Sequence, residues 1–219
     1  MIVNQSHVEG DQIMNLELFP EASEEAEVIP IQDGDLSFYP RLFSPGESDV
    51  FFRDLKEKVD WKQEEIKLYG KVIPLPRLTA WFGDEGMTYV YSGITVESQP
   101  WTKTLQEIKD RVDNVSGVKF NSVLLNLYEH ERHSVSWHSD DEPELGKDPT
   151  IGSVNLGATR RFRLKHKKDK TLKKSIDLPH GSYLLMAGSL QHYWVHQVPK
   201  SSRKINPRIN LTFRIIQNV

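Results

Sequence analysis

From residue 121 to the end, the chain consists of short β-prone runs cut by glycine and proline turns, and nothing else in it restricts the fold so strongly. The runs fall at 123–128, 151–157, 161–165, 177–178, 183–186, 193–198 and 208–216. Each is shorter than a stable helix needs, and 161–165 alternates polar and apolar residues with the period of a half-buried strand. Short strands at this density predict an antiparallel sandwich or jelly roll over 121–219. Residues 29–120 carry a different pattern. Ser44, Pro45 and Glu47 read as a helix start, with Phe51, Leu55 and Val59 on its apolar face. A second helix is expected from Pro100 and Trp101, with Leu105, Ile108 and Val112 in register and Gly117 closing it. Between the helices lies an extended, aromatic-rich region in which 68–72 read as a hairpin.

Composition narrows the chemistry. A chain of 219 residues, 37% hydrophobic with five Trp, suits one domain with a packed core. There is no cysteine, so disulfides, thiolate metal sites and a cysteine nucleophile are excluded, and any metal must be held by His, Asp or Glu. No apolar run of about 18 residues occurs, so no membrane span is expected. The N-terminus has neither a secretory leader nor the arginines of a transit peptide, which leads to the expectation of an intracellular protein, cytoplasmic or nuclear or nucleoid-associated. The net charge of -3 conceals an asymmetry, because nine acidic residues precede the first basic one, Arg41. Residues 1–28 read as an acidic, mobile tail with a short amphipathic piece at 13–19, and 29–219 as a single domain. From Arg41 onward, 28 basic residues face the remaining 22 acidic ones, a formal +6 compatible with a polyanionic partner.

Within the β-rich part, His138 and Asp140 stand two residues apart. On a strand, i and i+2 share a face, so an imidazole and a carboxylate can aim at one point. One more histidine would complete a two-His-one-carboxylate site with open positions, which suits non-haem Fe(II) and oxygen chemistry. His166, His180, His192 and His196 all lie downstream, and composition does not choose among them. The run 207–214 adds a second constraint. Arg208, Asn210, Thr212 and Arg214 fall on one face of a strand, and two arginines on an inward face are costly unless an anion meets them. Asn126 and Tyr128 form another polar i, i+2 pair on an apolar strand. A dicarboxylate lying between the two strands could take an arginine fork at one end and chelate the metal at the other.

Taken in order, Asn126-Leu127-Tyr128, His138-x-Asp140-x-Glu142, Trp194-x-His196 and Arg208-x-Asn210-Leu211-Thr212-Phe213-Arg214 resemble the AlkB family. These are Fe(II)- and 2-oxoglutarate-dependent dioxygenases that remove alkyl groups from nucleic-acid bases. The resemblance runs from about Ile31 to the end, and the Asn-Leu-Thr-Phe-Arg ending is its specific part. It implies a mainly β fold, a double-stranded β-helix (jelly roll) catalytic core with an N-terminal α/β nucleotide-recognition extension. It implies His138, Asp140 and His196 as iron ligands, and Asn126, Tyr128, Arg208, Asn210 and Arg214 as the 2-oxoglutarate site. Glu142 matches an acidic position near the exocyclic amine of the target base. The cofactors implied are Fe(II), 2-oxoglutarate and O2, and the partner is DNA, or RNA, carrying alkylated bases such as N1-methyladenine and N3-methylcytosine. The products are formaldehyde, succinate and CO2, and the enzyme is expected to be a monomer. The segment from Tyr69 to Gly93 looks closest to the branch that repairs duplex DNA.

A base methylated on its Watson–Crick edge is already unpaired and costs less to flip. Trp81, Phe82 and the ring of His138 are candidates to sandwich it, and Tyr69 to fill the gap in the stack. Lys71, Arg77 and Tyr89 belong to the same segment and are expected substrate contacts. Residues 160–174 hold nine basic side chains against one acid, Asp169, and read as a phosphate-binding hairpin. Arg160, Arg161, Lys167, Lys168 and Lys170 are its named contacts. Two competing readings stay open: a 2-oxoglutarate dioxygenase acting on RNA, protein or a small molecule, and a non-catalytic nucleic-acid-binding β-domain.

Overall fold

The structure, a computed structural model, describes residues 21–68, 71–91 and 94–217. In chain order come β1 (Glu27–Val28), β2 (Asp35–Tyr39), α1 (Pro45–Lys58), the hairpin β3 (Glu65–Leu68) and β4 (Lys71–Pro74), β5 (Leu78–Gly83), the hairpin β6 (Thr88–Tyr91) and β7 (Ile94–Glu97), and α2 (Lys103–Ser116). The second half holds β8 (Ser122–Tyr128), β9 (Val135–His138), β10 (Ile151–Gly157), β11 (Arg160–His166), β12 (Lys173–Leu178), β13 (Ser182–Ala187), the short α3 (Leu190–Tyr193), β14 (Trp194–Val198) and β15 (Arg208–Arg214). Two antiparallel sheets form the core. The larger has the order β1-β2-β13-β10-β15-β8-β5 and the smaller β12-β11-β14-β9. None of the described helices is long and apolar enough to cross a membrane.

The larger sheet has two unlike faces because its strands alternate. On β8 and β15, Val123, Leu125, Ile209, Leu211 and Phe213 join Phe51 and Leu55 of α1 and Leu105, Ile108 and Val112 of α2 in one buried cluster. The intervening residues, Asn126, Tyr128, Arg208, Asn210 and Arg214, line a cavity on the other face. A second apolar cluster, with Phe162, Leu164, Met186, Trp194 and Val198, fills the rest of the space between the sheets. The helices therefore seal one side, and the second side is divided between core and site.

The helix ends follow the sequence closely. Ser44 caps α1 in a capping box with Glu47, whose carboxylate also takes Arg111 of α2 at 3.2 Å. α2 starts at Lys103 behind Thr102, two residues later than the apolar spacing predicts. Trp101 stays outside the helix, where its indole donates to Asp84 Oδ1 at 2.7 Å. Gly117 ends α2 at φ 68°, in the left-handed region that favours glycine. β3 and β4 pair antiparallel with Leu68 opposite Lys71, in line with the expected hairpin. Tyr69 itself, and the tail segment 13–19, lie outside the described residues. β1, at Glu27–Val28, pairs with β2, so among the described residues strand structure is already present two residues before the expected start of the domain.

Candidate metal and cosubstrate site

His138 is the last residue of β9 and sits opposite His196 of β14 in the strand register, with ring centroids 4.3 Å apart. Asp140 lies beyond the end of β9. The structure does bring the pair named by the same-face argument together, but the carboxylate is placed by the chain leaving the strand. Its backbone N–H donates to Gln191 Oε1 at 3.0 Å, its Oδ1 accepts from Arg214 Nη2 at 2.5 Å, and its Oδ2 is 3.5 Å from His196 Nε2. One ligand atom from each of His138, Asp140 and His196 lies within 4.8 Å of the others. His138 Nδ1 is 2.8 Å from Ser136 O. A carbonyl only accepts, so Nδ1 carries a proton and Nε2 is the ring nitrogen left for a metal.

Charge completes the donor set. Burial alone would raise Asp140, but Arg214, His196 and His138 hold it far below the usual carboxylate range. Burial foremost, and then His138, push His196 down to about 3, so its imidazole is neutral. An ionised carboxylate beside a neutral imidazole, with a second imidazole on the same point, is a donor set that a divalent metal can use. Phe162 lies under His196 at 5.1 Å and holds the ring from behind.

The cavity of about 390 Å³ opens between the sheets, a size suited to a small ligand. Its floor is Arg208, 1% exposed. The guanidinium lies 5.0 Å from the centre of the Tyr128 ring and donates from Nη2 to Asn155 Oδ1 at 2.5 Å. Its Nε and Nη1 are buried with no hydrogen bond of good geometry among the described residues, the Tyr128 side chain being the polar neighbour of the guanidinium. Burial lowers Arg208 to about 10, which leaves it a cation at neutral pH. Asn126 accepts from Arg77 Nε at 2.6 Å, and Asn210 donates to Ser153 Oγ and Val154 O. Asn210 therefore lines the cavity with its amide nitrogen already engaged by β10. Three ligands thus converge on one point, and a buried cation faces the same cavity, which fits a divalent metal beside an anionic ligand.

Of the expected substrate contacts, Arg77, Trp81 and Glu142 line the cavity. Burial raises Glu142 above the usual carboxylate range, and its Oε2 has no partner among the described residues. Phe82 does not belong with them. It is 3% exposed and packs into the helix-side core, because it follows Trp81 on β5 and adjacent strand residues face opposite ways. Lys71 is exposed on β4. Tyr69 and the side chain of Tyr89 lie outside the described residues.

The basic hairpin needs a larger correction. Arg160 is not a surface residue: at 3% exposure its Nη2 donates to His133 O and Pro199 O. It is the first residue of β11 and shares the inward face with Phe162 and Leu164. Arg161 forms a two-pronged pair with Asp177, Lys167 donates to Asp141 and Gln191 O, and Lys170 donates to Lys167 O. Lys168 lies over Tyr193. The exposed cations of β11 and β12 without an ion pair among the described residues are instead Arg163, Lys173 and Lys174. Sequence reasoning also missed Asn155 and Gln191. Asn155 had a signal, since Ser153 and Asn155 repeat the polar i, i+2 pattern on β10. Gln191, in a four-residue helix, had none.

Two antiparallel sheets around two histidines and a carboxylate define a class, and the sequence profile of the 2OG-Fe(II) oxygenase superfamily matches residues 35–214. The human alpha-ketoglutarate-dependent dioxygenase alkB homolog 3 is 41% identical over 187 residues, covering 81% of this chain and 65% of that protein. The mouse DNA oxidative demethylase ALKBH2 is 37% identical over 188 residues, covering 81% and 79%. The chain thus belongs to the 2OG-Fe(II) oxygenase superfamily and, within it, to the AlkB family. It spans a little under two thirds of the length of the homolog 3 proteins. The solved structure of OsALKBH1 superposes with a TM-score of 0.60 at 15% identity, over 86% of this chain and all of that one, which speaks for the fold alone. Membership brings Fe(II), 2-oxoglutarate and O2 as the reagents, and the donor set above fits them.

Proposed function

We propose that this protein repairs DNA by oxidative removal of alkyl groups from ring nitrogens of bases such as N1-methyladenine and N3-methylcytosine. The observation that carries the reading is Arg208, a buried guanidinium in the cavity that the three metal ligands share. His138, Asp140 and His196 would hold Fe(II), and Arg208, with Tyr128 beside it, would take the distal carboxylate of 2-oxoglutarate. Asn126 and Asn210 shape the wall between. When bound, the metal and cosubstrate supply the oxidising chemistry with O2, yielding succinate, CO2 and, from an N-methyl group, formaldehyde. Arg214 keeps Asp140 ionised and turned toward the triad. Trp81 and the half-exposed His138 ring offer flat faces for a flipped base, and Glu142, with a free oxygen in the same cavity, offers an acceptor for its exocyclic amine.

DNA as the substrate is supported by the name of the ALKBH2 relatives and by the exposed cations of β11 and β12. The test is an oligonucleotide panel, methylated and unmethylated, single- and double-stranded, DNA and RNA. Formaldehyde release that needs Fe(II), 2-oxoglutarate and the methyl group is expected on DNA. A preference for the duplex is expected from the likeness of 69–93 to the duplex-repair branch. Succinate production with no loss of methyl from any oligonucleotide would sink the reading.

A further inference from the structure

Arg160 is a buried arginine that the proposed chemistry does not use. Among the described residues it has no carboxylate partner, and its hydrogen bonds go to two neutral carbonyls at 2.9 and 2.7 Å. One carbonyl, His133, belongs to the loop entering β9, which carries His138. The other, Pro199, directly follows β14, which carries His196. Its guanidinium lies 5.5 Å from the centre of the Tyr128 ring. Arg208 lies 5.0 Å from the same ring, also without a carboxylate among the described residues. Tyr128 therefore sits beside two buried guanidiniums, and no described protein anion neutralises either. A buried positive pair is costly unless the site is meant for negative charge. Aromatic contact and carbonyl bonds make Arg160 tolerable without discharging it.

We infer that Arg160 is a positioning residue of the cosubstrate site: acting through Tyr128, it supplies a second positive charge for the distal carboxylate of 2-oxoglutarate and so selects dicarboxylates over simple 2-oxo acids. The inference rests on the cosubstrate reading above. Arg160 does not line the cavity, so it works by fixing the Tyr128 ring and by its field, and Arg208 makes the direct contact. A carboxylate held by one guanidinium and biased by another is discriminated from a methyl group far better than by one cation alone.

The test compares 2-oxoglutarate with 2-oxobutanoate, which keeps the chelating end and lacks the distal carboxylate. Binding to the Fe(II)-loaded protein under anaerobic conditions is followed by the visible charge-transfer band of the chelated 2-oxo acid. The wild-type protein is expected to bind 2-oxoglutarate the more tightly of the two, and its failure to do so overturns both this inference and the cosubstrate reading. With that preference in hand, Arg160→Gln is expected to weaken 2-oxoglutarate about tenfold and to leave 2-oxobutanoate within about twofold. Arg160→Lys, which keeps the charge, is expected to keep the preference within about threefold. Equal losses for both acids would mean that Arg160 only supports the fold, and no loss in the glutamine variant would mean that its charge is not felt. Either result overturns the inference while leaving the cosubstrate reading intact. If the glutamine variant does not fold, Arg160→Lys decides alone, and loss of the preference there is the contrary result.

Discussion

Asp140 is where a short spacing argument and the folded chain part company. His138 and Asp140 are legible as a pair, but the strand ends at His138, and the carboxylate is held by contacts the spacing does not encode. Gln191 is one of them, fully buried, accepting the Asp140 N–H and carrying no recognisable signal in sequence. Replacing it by Leu leaves that N–H unpaired and frees the ligand to turn. A stability loss of about 1–3 kcal/mol is expected in denaturant titration, with Fe(II) affinity down roughly 10–100-fold. Retained metal affinity alongside the stability loss would show that Arg214 alone orients the carboxylate. Arg208→Met is expected to raise KM for 2-oxoglutarate by about 100-fold or more while the protein stays folded, since it removes a charge-assisted pair and fills the space with an apolar stem of similar length. An unchanged KM would remove the central support of the proposed function. Arg208 is legible in the sequence for a physical reason: a charged residue on an inward, alternating strand has few explanations. Arg160 and Arg161 look alike in a basic run, and only the strand register tells the buried one from the exposed one.

Elements are readable where local chemistry sets them. The capping box at Ser44 and Glu47 fixes the start of α1, and Ser44→Ala is expected to cost about 1 kcal/mol by thermal or chemical unfolding, more if the Glu47–Arg111 tie to α2 loosens with it. Alternation on β8 and β15 is legible because one face is apolar throughout. On β5 two adjacent aromatics, Trp81 and Phe82, both invite a role with the base, yet neighbours on a strand cannot share a face. The β11–β12 hairpin is legible from its charge, but its exposed cations divide by geometry. Those of the turn, Lys167 and Lys170, are engaged by the protein, whereas Lys173 on β12 stands opposite Lys165 and extends the surface of Arg163 and Lys165, the last lying 4.2 Å over Trp137. Charge removal at Arg163, Lys165 and Lys173 is therefore expected to weaken binding across DNA sequences. It should also lower the slope of log K against log salt by about one for each phosphate no longer neutralised. The same change at Lys167 and Lys170 is expected to do less. Equal slopes for the two sets would count against this division.

At the scale of the molecule, the larger sheet separates a sealed, helix-covered core from a core shared with the site. Function and stability can therefore be perturbed separately. Tyr183 belongs to the sealed side: fully buried, its hydroxyl meets Ser116 at 2.6 Å and its ring packs against Tyr39 at 5.5 Å. β10 passes so close that a Cβ on Gly152 would stand 2.5 Å from the Tyr183 hydroxyl, which accounts for glycine in an otherwise full strand. Burial pushes the Tyr183 phenol well above its ordinary value of 10.0, with Tyr39 and Asp113 adding to the rise and the Ser116 hydrogen bond opposing it. In the unfolded chain the phenol ionises near 10, whereas in the folded protein it stays protonated. Above that pH the folded state binds the extra proton, so stability falls as pH rises. The contribution is fully present below about pH 10 and is lost as the pH climbs from there toward the folded value. Tyr183→Phe removes the ionisable group and keeps most of the packing, so its unfolding free energy is expected to fall less steeply than wild type between about pH 10 and 11. Denaturant titrations at about pH 8, 10 and 11 check this, and parallel curves for the two proteins would place the alkaline sensitivity elsewhere.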